Sequence, residues 1–246
     1  MNLVLDLGNT KHKLAIFDGN TLVALEITEQ LLPEHLEQAF QNFSVTNAIL
    51  CSVDHYDEVL ATVLGENIPF IHLSHTTLLP ITNAYTTPTT LGKDRLSAAV
   101  GANALFPGKN VLSIDAGTCL KYDFTDSQAV YHGGAISPGL NMRLRAMHNF
   151  TARLPLIVPT NLAEIPLNKL IGNDTNASML SGALNGALFE VDGTISAYME
   201  KYSDLVVVIT GGDAAFFELH AKSRIFARPN LVLEGLNTIL NYNIDN

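Results

Sequence analysis

The sequence predicts an α/β protein made of two related halves, each a mixed sheet flanked by helices. Three observations carry that prediction. The chain opens on short apolar runs separated by strong turn formers, it then alternates helical and extended patterns, and the same succession restarts beyond residue 108. The restart repeats a local pattern as well as an order. "VLDLGNTKHK" (residues 4–13) and "LSIDAGTCLK" (112–121) both run from apolar residues to an Asp, a Gly, a Thr and then a Lys.

Residues 2–7, 11–17 and 21–27 read as three strands of an antiparallel meander, broken by Gly8-Asn9 and by Asp18-Gly19-Asn20. Leu32, Leu36, Ala39, Phe40 and Phe43 fall at helical spacing, with Pro33 near the start of the helix they imply. "AILCSV" (48–53) reads as a buried strand, 55–65 as a helix and "PFIHLS" (69–74) as a further short strand. Residues 75–92 are rich in Thr and Pro without periodicity, either an ordered loop at a site or a linker. A helix follows from about Asp94 to Leu105, with Ala98, Ala99 and Ala102 on a face suited to close packing. The second meander takes 111–115, 119–124 and 129–136. The remainder is helical over 138–149, 174–202, 213–221 and 230–243, with one strand at 205–210.

Of the 246 residues 47% are hydrophobic, enough for a sizeable core, and 15% are charged, too few for a disordered or coiled-coil chain. The formal net charge of −10 sets aside nucleic acid and anionic membrane surfaces as main partners. The opening residues carry no basic segment followed by an apolar run, and no apolar run approaches the roughly 18 residues of a membrane span. Cys51 and Cys119 lack metal-ligand spacing, so a reducing cytoplasm is the expected setting. Positive charge is unevenly placed. Residues 1–92 hold ten acidic side chains and two basic ones, and the two are Lys11 and Lys13, beside the first Asp-Gly-Thr turn. They either bind an anion there or alternate outward on an exposed strand.

Two such turns suit a polyphosphate. A glycine turn lets backbone N–H groups approach a phosphate, a Thr hydroxyl adds a donor, and a strand-end carboxylate holds a cation or its water shell. Opposed across a cleft, the pair would grip a nucleotide and its metal. Neither GxxxxGK[ST] nor a GxGxxG loop after a strand occurs, so any nucleotide is bound by other means, and the repeated turn is the candidate. In "TTLGKDRLSAAVGA" (89–102), Asp94 is either a helix cap or a general base for a hydroxyl nucleophile, with Arg95 binding polar substrate groups. "HGGAISPGL" (132–140) and "VITGGDA" (208–214) each place Gly-Gly at a strand-to-helix junction, for a ligand or for close packing. "GNDTNASMLSG" (172–182) reads as a helix start that serves a packed helix pair, a dimer seam or a substrate contact.

The succession DLGNTKHK, LGKDR, DAGT, GGAISPGL, TARLP (151–155), GNDTNASMLSG and ITGGDA resembles, in order and over essentially the full chain, the type III pantothenate kinase family. The resemblance implies membership of the acetate and sugar kinase, heat-shock chaperone and actin superfamily. Its members carry duplicated ribonuclease-H-like (actin-like ATPase) domains with mixed sheets around an ATP cleft. The implied division is 1–108 and 109–246, the second half carrying the dimerisation helices. The implied reaction transfers the γ-phosphoryl group of ATP to the primary hydroxyl of pantothenate, the first step of coenzyme A biosynthesis. By matching positions, Asp6, Leu7, Gly8, Asn9, Thr10, Lys11, His12 and Lys13 form the first nucleotide-binding segment, and Thr118 contacts an ATP phosphate. Asp94 is the implied catalytic base, while Gly92, Lys93, Asp94, Arg95 and Tyr85 line the pantothenate site. Asp115 is the implied ligand of a monovalent cation (K+ or NH4+), and Mg2+ accompanies ATP. Thr175 matches a substrate-binding threonine supplied by the partner subunit, which implies a homodimer.

Two positions depart from the family pattern. Lys121 follows DAGT where small or hydroxyl residues are usual, echoing Lys13 and bearing on the potassium site. Lys93 stands in GKDR where a small residue is common. The competing readings are a kinase of the same superfamily for another small hydroxylated acid or sugar, and a non-catalytic ATP-binding regulatory protein. Asp94 separates them, because a regulator needs no base.

Overall fold

The computed structural model describes residues 1–8, 11–52, 57–159 and 170–246. The chain forms two compact units. The first comprises Met1–Pro107, Ala129–Tyr131 and Leu231–Asn246, the second Gly108–Gln128 and His132–Asn230.

In the first unit, β1 (Asn2–Leu7), β2 (His12–Asp18) and β3 (Thr21–Thr28) form the expected meander. Helix α1 (Pro33–Asn42) leads to β4 (Asn47–Ser52), and α2 (Glu58–Asn67) leads to β5 (Phe70–His72). The sheet order is β3-β2-β1-β4-β5, with β1 antiparallel to β2 and parallel to β4. Strand β1 is buried along its whole length, as a central strand covered on both faces must be. Leu3, Leu5, Ile16, Leu36, Leu50 and Leu64 meet in the core, each contributing about 1.5–3 kcal/mol by leaving water. Pro33 occupies the first turn of α1, where its missing N–H is no loss, and Asp57 caps α2 by accepting from the amides of Val59 and Leu60.

The segment 75–92 contains one short strand, β6 (Thr82–Asn83), paired in parallel with Val130 and Tyr131. Two-residue strands carry no periodicity, which is why the sequence pattern shows only a loop there. Helix α3 (Lys93–Leu105) follows.

The second unit repeats the first. Strands β7 (Val111–Ala116), β8 (Cys119–Thr125) and β9 (Val130–Pro138, whose first two residues count with the first unit) form its meander. Helices α4 (Leu140–Asn149) and α5 (Thr175–Lys201) come next, then β10 (Val206–Thr210), α6 (Ala214–His220) and β11 (Phe226–Ala227). Read from β9 to β11 the order is β9-β8-β7-β10-β11, the same 3-2-1-4-5 arrangement as in the first sheet, with β7 antiparallel to β8 and parallel to β10. Its core joins Ile114, Tyr122, Leu140, Val191, Ile209 and Phe217. Asp174 caps α5 by accepting from the Ala177 amide.

The last helix, α7 (Leu231–Ile244), departs from the expected division at residue 108. The sequence reading groups it with 109–246, whereas the structure packs it in the first unit, against α3, β1 and β4. Polar side chains fix that docking. Asn2 Nδ2 donates to Asn237 Oδ1 at 2.9 Å, and Asn237 Nδ2 donates to the Gly19 carbonyl at 2.9 Å. Among the described residues no helix is long and apolar enough to cross a membrane.

Candidate active site

Each unit places an aspartate next to the end of its first strand and a lysine directly across the hairpin. Asp6 pairs in register with Lys13, and Asp115 with Lys121. Across the parallel neighbour, Asp6 faces Cys51 and Asp115 faces Thr210. The repeated Asp–Gly–Thr–Lys pattern thus corresponds to one structural position used twice.

In the first unit the carboxylate of Asp6 is almost wholly buried. Leu7 is core, Gly8 and His12 are half-buried, Lys11 is exposed and Lys13 half-buried, while Asn9 and Thr10 lie outside the described residues. Cys51 reports what converges there. Burial pushes its thiol well above the ordinary value, and the charges of Asp6 and then Asp94 push it further, with Lys93 acting in the opposite sense. Asp6, Asp94 and Lys93 therefore share one electrostatic neighbourhood, and Cys51 is an inert thiol within it. Sequence reasoning missed Cys51, because the parallel pairing that sets it beside Asp6 spans 45 residues of chain (51 minus 6).

Helix α3 sets Asp94. Gly92, not Asp94, is the N-cap, so the capping reading does not hold, and Asp94 is the second residue of the helix. Its carboxylate folds back over the cap: Oδ1 lies 2.6 Å from where a Cβ on residue 92 would stand. Only glycine leaves that space to the carboxylate. Arg95 is buried and lies with Cζ 5.7 Å from the centre of the Tyr85 ring, within cation–π range. Tyr85 is held by its neighbours, its amide donating to Asn83 Oδ1 at 3.0 Å and its ring 6.2 Å from that of Tyr131. Lys93 Nζ stands 3.5 Å from His72 Nε2. Burial and the Lys93 charge both hold the His72 pKa down, which keeps the imidazole neutral and able to accept that contact. The structure thus gathers Gly92, Lys93, Asp94, Arg95 and Tyr85 in the first unit.

In the second unit, Lys121 Nζ forms an ion pair with Asp115 Oδ2 at 2.8 Å. Thr118 is exposed at the turn between β7 and β8. Two other loops pack on that turn. The amide of Gly139 donates to the Thr118 carbonyl at 3.1 Å, and that of Asp213 to the Ala116 carbonyl at 2.8 Å. Gly211 has φ +97° and approaches so closely that a Cβ would stand 2.3 Å from the Ala116 carbonyl oxygen. Behind the Gly139 loop a polar cluster ties four elements together. Tyr122 Oη donates to Glu190 Oε1 at 2.9 Å, Ser137 Oγ donates to Glu190 Oε2 at 3.0 Å, and Arg143 pairs with Glu190. Burial opposes the Glu190 charge, but hydrogen bonds from Arg143, Ser137 and Tyr122 prevail and hold its pKa below the ordinary value. Thr175 is exposed on the first turn of α5, in a groove of about 580 Å³ lined also by Met147, Leu154 and Met179.

Asp213 carries no role in the sequence reading, although its motif does. Burial pushes its carboxyl up from 3.8 to about 6. Between those values the folded protein binds the proton first, so the group's contribution to stability rises as pH falls from about 6 towards 3.8. Asp213→Asn is therefore expected to stabilise by about 1–2 kcal/mol at pH 8, allowing for partial exposure, and by nothing below about pH 4. Calorimetric melting at the two pH values checks it; a loss of stability at pH 8 contradicts the account.

Two copies of a 3-2-1-4-5 mixed sheet, each with a strand-end aspartate at a glycine turn, define the fold class of the actin-like ATPases and related sugar kinases. In keeping with this, the ROK hexokinase of Thermus thermophilus superposes with TM-score 0.54 at 14% identity, over 98% of this chain and 99% of its own. A protein described as a Baf-family transcriptional activator from Campylobacter jejuni does so with TM-score 0.61 at 20% identity, over 99% and 100%. Sequence narrows the class: the profile of type III pantothenate kinase matches residues 2–197. The type III pantothenate kinase of Christiangramia forsetii is 44% identical over 99% of both chains. The chain belongs to the type III pantothenate kinase family.

Proposed function

We infer that this protein transfers the γ-phosphoryl group of ATP to the primary hydroxyl of pantothenate, giving 4′-phosphopantothenate in the first step of coenzyme A biosynthesis. The observation that carries the layout of the reaction is the convergence of Asp6 and Asp94 on Cys51 in one unit. It supports a layout in which the nucleotide-turn carboxylate and the acceptor-side carboxylate work side by side. Phosphoryl transfer asks a protein for positioning and charge neutralisation more than for covalent chemistry.

Asp94 accepts the proton of the attacking hydroxyl, and Arg95, held against Tyr85, binds polar groups of pantothenate. Gly92 leaves the carboxylate its space, and Lys93 adds positive charge to the same wall. Leu7 anchors the first turn in the core, while Asp6, Gly8, Lys11, His12 and Lys13 present it to ATP; the Thr118 hydroxyl is assigned to an ATP phosphate. Kinases of this family use ATP with Mg2+, which neutralises charge on the phosphates. A single strand-end carboxylate such as Asp6 fits an ion that draws most of its ligands from phosphate and water. The monovalent cation assigned to Asp115 fits less well, because an ammonium group already stands against that carboxylate. Thr175, exposed in its groove, serves the substrate site of a partner subunit, which makes the working form a homodimer. The cytoplasm is the setting we assign, in keeping with the free Cys51 and Cys119.

One experiment tests substrate and assembly together: coupled ADP release with pantothenate, on a sample whose sedimentation is measured at assay concentration. Pantothenate-dependent release from a dimer is expected. Release indifferent to pantothenate rejects the acceptor, and an active monomer rejects the role of Thr175 across subunits.

A further inference from the structure

A carboxylate beside a phosphate-binding turn repels the ligand unless a cation neutralises it, and that cation is either dissolved or built in. At Asp115 it is built in. The ammonium of Lys121 stands 2.8 Å from Oδ2, and the two side chains are only 21% and 18% exposed. The contact is fixed by strand register, since Asp115 and Lys121 are directly paired between β7 and β8. The other carboxylate oxygen, Oδ1, faces backbone: it lies 2.6 Å from a Cβ position on Gly211 and 3.7 Å from one on Gly117. The chain uses the same register in its first unit, where Lys13 is paired with Asp6. A lysine across from the turn aspartate is therefore a feature of both repeats.

We propose that Lys121 is the resident cation of the second phosphate turn: its ammonium takes the place at Asp115 that a potassium or ammonium ion would otherwise hold, and nucleotide binding is independent of dissolved monovalent cations. A tethered group held in register has an effective concentration that no dissolved ion in the cell matches. A free ion would also have to displace a partly desolvated ion pair and leave the displaced ammonium without this partner. Lys121 thus neutralises Asp115 permanently, and the turn meets the phosphates without first recruiting an ion. The inference rests on the reading of this turn as nucleotide-binding, and the test separates the two.

Binding of a non-hydrolysable ATP analogue with Mg2+ is measured by calorimetry on the full chain, in potassium, ammonium, sodium or tetramethylammonium chloride at equal ionic strength. Wild-type affinities are expected to agree within about twofold across the four salts. Lys121→Met is expected to lose about tenfold or more in tetramethylammonium and to regain it as potassium or ammonium is added. Melting of the ligand-free proteins gives a second readout: potassium over tetramethylammonium stabilises Lys121→Met and not the wild type. Wild-type affinity that rises about fivefold or more with potassium overturns the proposal, as does a Lys121→Met protein indifferent to the salt. The wild-type arm decides even if the variant does not fold. If the analogue binds wild type in no salt, the nucleotide reading fails. The melting series then still judges Lys121, equal potassium effects on both proteins counting against it.

Discussion

Asp94→Asn lowers turnover with pantothenate by about 10²–10⁴-fold and leaves affinity for the ATP analogue within about twofold, because the amide keeps the shape of the carboxylate but cannot take a proton. The geometry separates this outcome from a folding defect. Gly92, not Asp94, is the cap of α3, and an amide at the second helical position keeps the contour of the carboxylate. The amide occupies the same space above Gly92 that Oδ1 fills. Removing the charge has a second, independent consequence. The Asp94 carboxylate is one of the charges that push the Cys51 thiol up, so the variant's Cys51 titrates lower, although burial keeps it well above an exposed thiol. Melting of the variant shows whether the fold survives, while kcat shows whether the carboxylate was a base. A folded variant with normal turnover removes Asp94 from the mechanism. A regulator without catalysis gives no turnover in either protein.

The duplication was legible because it is written locally. Each meander needs only alternating apolar residues and turn formers, and the turn aspartates are followed by lysines at spacings that a hairpin converts into direct cross-strand pairs. What was hidden is non-local. Helix α7 is legible in the sequence as a helix over 230–243, but nothing local says which unit covers it; the answer lies in Asn237 reaching Asn2 and Gly19, more than 200 positions away in sequence (237 minus 2, 237 minus 19). Strand β6 is too short to carry a period, yet it anchors the segment bearing Tyr85. The pairing of Lys121 with Asp115 was visible only as a departure from a family pattern, whereas its meaning depends on a distance. Of the candidate residues, Asn9 and Thr10 lie outside the described structure, and Thr175 is placed in the second unit, apart in sequence and unit from the LGKDR segment.

Gly235→Ala is expected to cost about 3 kcal/mol, which for a chain of this size lowers the melting temperature by about 6–12 °C. The reason is the crossing of α3 and α7 within the first unit. A Cβ on residue 235 would stand 1.8 Å from the Ser97 carbonyl oxygen, and one on residue 101 would stand 2.6 Å from that of Leu231. Both obstacles are backbone, so no side chain can swing aside and the helices must separate. Separation opens gaps around Ala98, Ala99 and Ala102, whose small side chains are buried and can fill nothing. It also lifts α3, which carries Lys93, Asp94 and Arg95 on its first turn. Stability and turnover are thus expected to fall together, unlike in Asp94→Asn, where turnover falls alone. A Gly235→Ala protein that melts within about 2 °C of wild type shows that the helices do not approach this closely. One that melts low but turns over normally shows that α3 can shift without moving Asp94 from the acceptor hydroxyl.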